Sequence, residues 1–218
     1  MSIPLFQTNF WGETLSLNPF TDLVSGGASR YNRRHMSKLQ VLYYPDPRLR
    51  EVSSSVDDLD EIREFLPAMF EIMYQSRGIG LAAPQVGIQK RFFIANISGS
   101  PEEKDQERVF VNPVIVESQG EMKEIEGCLS LPGMEATVRR AEAVVVDIGD
   151  MDGRRQQVEA EGLFSKLFQH EIDHLDGILM LDKITPAEQK KWAPLLKDLE
   201  SDFKNNIRRP HTPSHAGL

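Results

Sequence analysis

The order of patterns along the chain predicts an α+β fold, with mostly antiparallel sheet set between helices rather than a doubly wound parallel sheet. Three observations carry this. Ile62, Phe65, Leu66, Met69, Phe70 and Met73 recur at the spacing of an amphipathic helix. Runs rich in β-branched and aromatic residues follow at Arg91 to Ile97, Val109 to Val116 and Val138 to Ile148, each reading as one strand. The last leads through Asp152-Gly153, a strong hairpin pair, into a return strand near Gln156 to Ala160.

Taken in order, residues 1–36 stand apart. They are short of charge, contain Ser25-Gly26-Gly27-Ala28-Ser29 and end in a basic run from Arg30 to His35, the reverse of the charge order of a secretory signal. They read as a leader or extension outside the fold, with residues 37–206 as one domain and 207–218 as a polar tail. Tyr44-Pro45-Asp46-Pro47 is a turn cluster. The first helix follows, with Pro67 as a kink and Gly78 as its stop. Gly78 to Gln85 is a small-residue loop, and Ser98 to Glu107 a polar connection between strands. Gly162 to Leu175 is a second helix ended by Gly177, and Thr185-Pro186-Ala187-Glu188 opens a third with a capping-box pattern and proline in its first turn.

Composition narrows the function. A chain of 218 residues holds one ordinary to large domain with appendages, and 40% apolar with 27% charged residues is usual for a globule. A net charge of −8 argues against direct DNA binding. No window holds the roughly 18 apolar residues that a membrane helix needs. The lone Cys128 cannot close an internal disulfide, which fits a reducing compartment and points to chemistry instead.

The sharpest chemical signal is Gln169-His170-Glu171-Ile172-Asp173-His174. Helical period puts His170 and His174 on one face, where both imidazoles reach one metal ion, and Glu171 flanks them as a carboxylate able to move a proton during hydrolysis. A catalytic centre of this kind needs a third protein ligand. A third histidine six residues after His174 is excluded, because that position is Met180. Glu188 and Glu200 are the downstream carboxylates, and Cys128, set in Glu126-Gly127-Cys128-Leu129-Ser130-Leu131-Pro132-Gly133, is the remaining candidate. Gly78-Ile79-Gly80-Leu81-Ala82-Ala83-Pro84-Gln85 allows close backbone approach to a ligand and presents one amide, with no phosphate-binding pattern.

In this order the three segments resemble the motifs of the peptide deformylase family, over Lys38 to about Asn205, with Tyr44 to Arg50 near the family's usual start. The resemblance implies sheets packed around a central HExxH helix, with an N-terminal and a C-terminal helix. It implies Cys128, His170 and His174 as metal ligands, water in the fourth place, and Glu171 as general acid/base. The Gln85 side chain and the Leu129 backbone N–H would stabilise the oxyanion, and Gly80, Glu126, Gly127, Leu163 and Leu167 would bind substrate. The implied cofactor is one divalent ion, iron(II) in the cell, with zinc, nickel or cobalt as replacements. The implied substrates are N-formylmethionyl nascent peptides met at the ribosome, through the C-terminal helix with Lys190, Lys191, Lys197 and Lys204, in a bacterial cytoplasm.

The match thins at the pocket. Leu163 and Leu167 lie on the ligand face of the helix and suit a methionine side chain. Lys166 lies near the edge of that face, and Glu124 likewise stands where the family favours an apolar residue. Two other readings stay in play: a zinc endopeptidase with a glutamate as third ligand, and a peptide-binding relative without catalysis.

Overall fold

The structure is a computed structural model that describes residues 39–207. The leader expected over 1–36 and nearly all of the tail from 207 lie outside the described residues. In chain order the elements are α1 (Asp60–Arg63), α2 (Leu66–Gln75), β1 (Gly80–Ala82), β2 (Phe92–Ala95), β3 (Arg108–Gln119), β4 (Met122–Gly127) and β5 (Glu135–Arg140). They continue with β6 (Ala143–Gly149), β7 (Arg155–Glu161), α3 (Gly162–Leu175) and α4 (Pro186–Lys204). One sheet has the order β1-β2-β3-β6-β7 and a second is the β4-β5 pair, and the pairing is antiparallel throughout. The α+β expectation holds at this level.

Several expected boundaries move, each for a physical reason. The single amphipathic helix is two, interrupted at Glu64-Phe65; Pro67 does not kink a helix but sits in the first turn of α2, where its missing N–H is not needed. The left-handed residue after α2 is Arg77 at φ +56°, not Gly78. The small-residue loop is strand β1 followed by a 3-10 turn, Ala83–Val86. β4 was not anticipated.

The expected strand from Val138 to Ile148 is also two strands, in different sheets. The inward residues Ala136, Val138 and Arg140 of β5 and Val144, Val146 and Ile148 of β6 fall on one two-residue period, interrupted only at the exposed Glu142, so the sequence reads as one strand. At the junction α3 takes over the backbone bonding. Ala141 N–H donates to Gln169 Oε1 at 2.9 Å, and its carbonyl accepts from Ser165 Oγ at 2.8 Å and Gln169 Nε2 at 2.9 Å. With both peptide groups satisfied there, the chain can leave one ladder and join the next.

One apolar cluster fixes the position of α3, and a second holds the segment after β4. Leu167, Phe168, Ile172 and Leu175 pack on Phe93, Phe110, Val146, Ile148 and Val158 of the large sheet. Phe168 meets Phe110 and Phe93 edge-on, at centroid distances of 4.8 and 5.6 Å. Cys128, Leu131, Met134, Ala136 and Val138 form a second cluster with Met180 and Ile184, covered by Trp192, Leu195 and Leu196 of α4. α4 begins as expected, with Thr185 Oγ1 accepting from Glu188 N–H at 3.3 Å. No helix among the described residues is long and apolar enough to cross a membrane.

Candidate active site

α3 carries His170 and His174 a turn apart, with ring centroids 4.9 Å from each other and edge to face. Cys128 follows directly on the last residue of β4, and its Sγ lies 3.2 Å from His174 Nε2. The thiol and the two imidazoles each offer a ligand atom, all within 4.8 Å of one another and all buried. One sulfur and two nitrogens at this separation suit a single ion such as zinc or iron(II), at bond lengths near 2.0 to 2.3 Å. Neither Glu188 nor Glu200 joins the group.

Behind the ligands lies a closed polar network. His170 Nδ1 lies 2.9 Å from Glu126 Oε2, a bond in which the ring donates and Nε2 is left free to bind a cation. Glu126 is held by a two-pronged ion pair: Arg140 Nε donates to Oε1 at 2.7 Å and Nη2 to Oε2 at 2.9 Å. Arg140 Nη1 donates to Asp173 Oδ2 at 2.5 Å, and Asp173 Oδ1 meets Lys183 Nζ at 3.3 Å. Burial alone would raise the Glu126 carboxyl, but the bonds to Arg140 and His170 outweigh it and bring it down to about 2. Burial would lower His170, and its bonds to Cys128 and Glu126 raise it instead. His174, buried beside His170, is pushed well below the usual histidine range.

The other flank of the helix is different. Glu171 is fully buried, and its Oε2 has no hydrogen-bond partner among the described residues. Burial pushes its carboxyl up to about 7, against the lowering influence of His170. Gly80 makes room for it: a Cβ there would stand 2.5 Å from Glu171 Oε1 and 2.6 Å from Leu167 Cδ1, so a side chain would displace the Glu171 carboxylate or Leu167. Gln85 is pinned by its oxygen, which accepts from Ala82 N–H at 2.8 Å. This turns its amide nitrogen towards Cys128 Sγ at 3.8 Å and Ser130 Oγ at 3.3 Å, both long contacts. Leu129 N–H has no acceptor among the described residues.

The structure therefore brings Gly80, Gln85, Glu126, Gly127, Cys128, Leu129, Leu167, His170, Glu171 and His174 to one locality on β1, β4 and α3. Leu163 stands at the start of α3 and is 45% exposed. Lys166 is buried against β4, and Glu124 is exposed on β4. Sequence reasoning missed Arg140, Asp173 and Ser130. The one available signal was an arginine on the inward register of an otherwise apolar strand, at Ala136, Val138 and Arg140.

An α+β fold with a buried Cys-His-His group beside an unpartnered glutamate defines a metal-dependent hydrolase. The polypeptide deformylase family model matches residues 38–190. The peptide deformylase of Chromobacterium violaceum is 43% identical over 166 residues, 76% of this chain and 98% of that one. Among solved structures, peptide deformylase of Plasmodium falciparum superposes with a TM-score of 0.74 at 41% identity, covering 78% of this chain and all of that chain. That of Thermus thermophilus gives 0.69 at 36%, covering 78% and 99%. The chain belongs to the peptide deformylase family.

Proposed function

We propose that Cys128, His170 and His174 hold one divalent ion, iron(II) in the cell, and that Glu171 is the general acid/base of the reaction. The reaction is that of the family: hydrolysis of the N-formyl group of formylmethionyl nascent polypeptides, releasing formate. What carries the site reading is the buried Cys-His-His group with an unpartnered, proton-avid carboxylate beside it.

A divalent ion at this group supplies Lewis acidity, acidifying a water and polarising the formyl carbonyl. Glu171 takes the proton of the attacking water on its free Oε2 and returns it to the departing amide nitrogen. A carboxyl near 7 suits both halves of that transfer at neutral pH. Gln85, through its side-chain N–H, and the backbone N–H of Leu129 donate to the oxyanion that develops on the formyl carbon. Glu126 fixes the ring of His170, and Arg140 fixes Glu126. Gly80 and Gly127 give the substrate backbone close approach, and Leu163 and Leu167 take the first side chain. In this reading α3 is the central metal-binding helix, residues 37–206 are the catalytic domain, and 1–36 lies outside it.

The encounter takes place at the ribosome in a bacterial cytoplasm. Lys190, Lys197 and Lys204 share one exposed face of α4, with Lys191 beside it, and suit contact with phosphate-rich surroundings. The test of the chemistry is formate release from formyl-Met-Ala-Ser by anaerobically purified protein loaded with iron(II) or nickel. The wild type should release formate, and a Glu171→Ala variant with the same metal content at least about 100-fold less. Equal release by both would remove Glu171 from the mechanism.

A further inference from the structure

We propose that Lys166 sets the first-residue preference of this enzyme, favouring formylated peptides whose first side chain ends in a hydrogen-bond acceptor, such as methionine sulfoxide or glutamine. The inference rests on the reading of the Cys128, His170 and His174 centre as the deformylation site.

Helical period places positions 166, 170, 163, 174, 167 and 171 side by side across one face of α3. At its C-terminal end that face is closed, with His170, Glu171 and His174 buried. Leu163 stands on the same line two turns earlier and is 45% exposed, so the face opens to solvent there. Leu167 borders the opening on the side of β1, where Gly80 lies against it. Lys166 borders it on the side of β4, where its Nζ reaches the Ile125 carbonyl at 3.4 Å. The proposed recess is the opening over Leu163, bordered by Leu167 on one side and Lys166 on the other, on the helix face that continues to His170 and His174. Lys166 precedes His170 by one helical turn, about 6 Å along the axis, comparable to the reach of a methionine side chain.

Lys166 is 8% exposed and is the one buried lysine among the described residues. Its amine carries three donors, and its only acceptor among those residues is the Ile125 carbonyl, at the long end of hydrogen-bond range. Arg140, the other buried cation, is matched to two carboxylates. Glu124 shares a face of β4 with Glu126 by the pleat, yet it is exposed and makes no ion pair with Lys166. Donors left short of partners in a recess favour a ligand that brings an acceptor to them. A thioether is a weak acceptor, and a sulfoxide or amide oxygen is a strong one. The recess therefore discriminates by the tip of the side chain and not by its length alone.

The test is kcat/KM for formyl-X-Ala-Ser peptides, X being methionine, norleucine, methionine sulfoxide or glutamine, with the full chain loaded with nickel. The wild type should cleave the sulfoxide and glutamine peptides at least as fast as the norleucine peptide. The acceptor-to-norleucine ratio should fall about tenfold in Lys166→Met, which keeps the length and removes the donors, and be retained in Lys166→Arg. A ratio unchanged in folded Lys166→Met would overturn the proposal. Should that variant not fold, a wild type that disfavours both acceptor-tipped peptides would overturn it alone. No formate from any peptide, formyl-Met included, would instead overturn the deformylation reading on which the proposal rests.

Discussion

Glu126 and Glu171 flank the same two histidines, both buried, and their surroundings drive them in opposite directions. Glu126 is saturated: a two-pronged arginine and a histidine hold it ionised, down to about 2. Glu171 is left short, with one oxygen unpartnered and its carboxyl up at about 7. A carboxylate that holds a ligand in place gains from being unable to change its proton, and one that moves a proton must be able to. Two like groups with pKa values pushed apart mark which is scaffold and which is acid/base. The same contrast runs through the flanks of α3. Around Glu126 lies a network of ion pairs, whereas around Glu171 the Gln85 amide is on long contacts and the Leu129 N–H is without an acceptor among the described residues.

Removing Arg140 should have the largest structural effect. Arg140→Met leaves the buried Glu126 with His170 as its one partner and the half-buried Asp173 with Lys183 alone, an expected loss of about 3 to 5 kcal/mol in denaturant unfolding of the metal-loaded protein. Metal affinity should fall about 10- to 100-fold as His170 loses its fixed orientation. A variant that unfolds like the wild type would show that the network does not hold the site. On the reacting flank, Gln85→Ala should cost about 1 to 3 kcal/mol of stability by leaving the buried Ala82 N–H without its acceptor, and about 2.7 to 4 kcal/mol of transition-state stabilisation, read as a lower kcat at equal metal content. A change confined to KM would assign Gln85 to ground-state binding instead.

The two carboxylates should also bend the stability of the metal-free protein in opposite senses. The folded pKa of Glu171 lies above its ordinary value of 4.5, so the folded state keeps a proton that the unfolded chain has lost. Stability then falls as pH rises from about 4.5 to about 7, by about 3 kcal/mol in all. Glu126 lies below that value, so its contribution is fully present above pH 4.5 and is lost as pH falls towards about 2. Thermal unfolding should therefore show Glu171→Gln gaining on the wild type at pH 8 and little at pH 4. A gain equal at both would mean that burial does not set the Glu171 proton.

Much of this contrast could be read before the structure. Short, strongly patterned signals located the ligand helix, because HExxH and the boundaries Gly162 and Leu175 depend on local period alone. Thr185-Pro186 fixed the start of α4 for the same reason. Cys128, the third proposed ligand, needed the order of three motifs, since a lone cysteine has no period. What stayed hidden depends on tertiary partners. The break at Ala141 is made by the side chains of Gln169 and Ser165, well over twenty residues away, and locally only the charged pair Arg140 and Glu142 interrupts the apolar alternation. Arg140 carries no motif, and its role appears only where β5 turns it inward against Glu126 and Asp173. The unpartnered Oε2 of Glu171 is set by the tertiary surroundings, as is the close packing of its Oε1 against Gly80.

The division between holding and reacting carboxylates is decided by one paired measurement, metal content together with formate release in Glu126→Gln and Glu171→Gln. Glu171→Gln should keep its metal and lose formate release by at least about 100-fold, while Glu126→Gln should lose metal and recover turnover when metal is supplied in excess. Metal loss in Glu171→Gln, or a fully metal-loaded Glu126→Gln that does not turn over, would contradict that division.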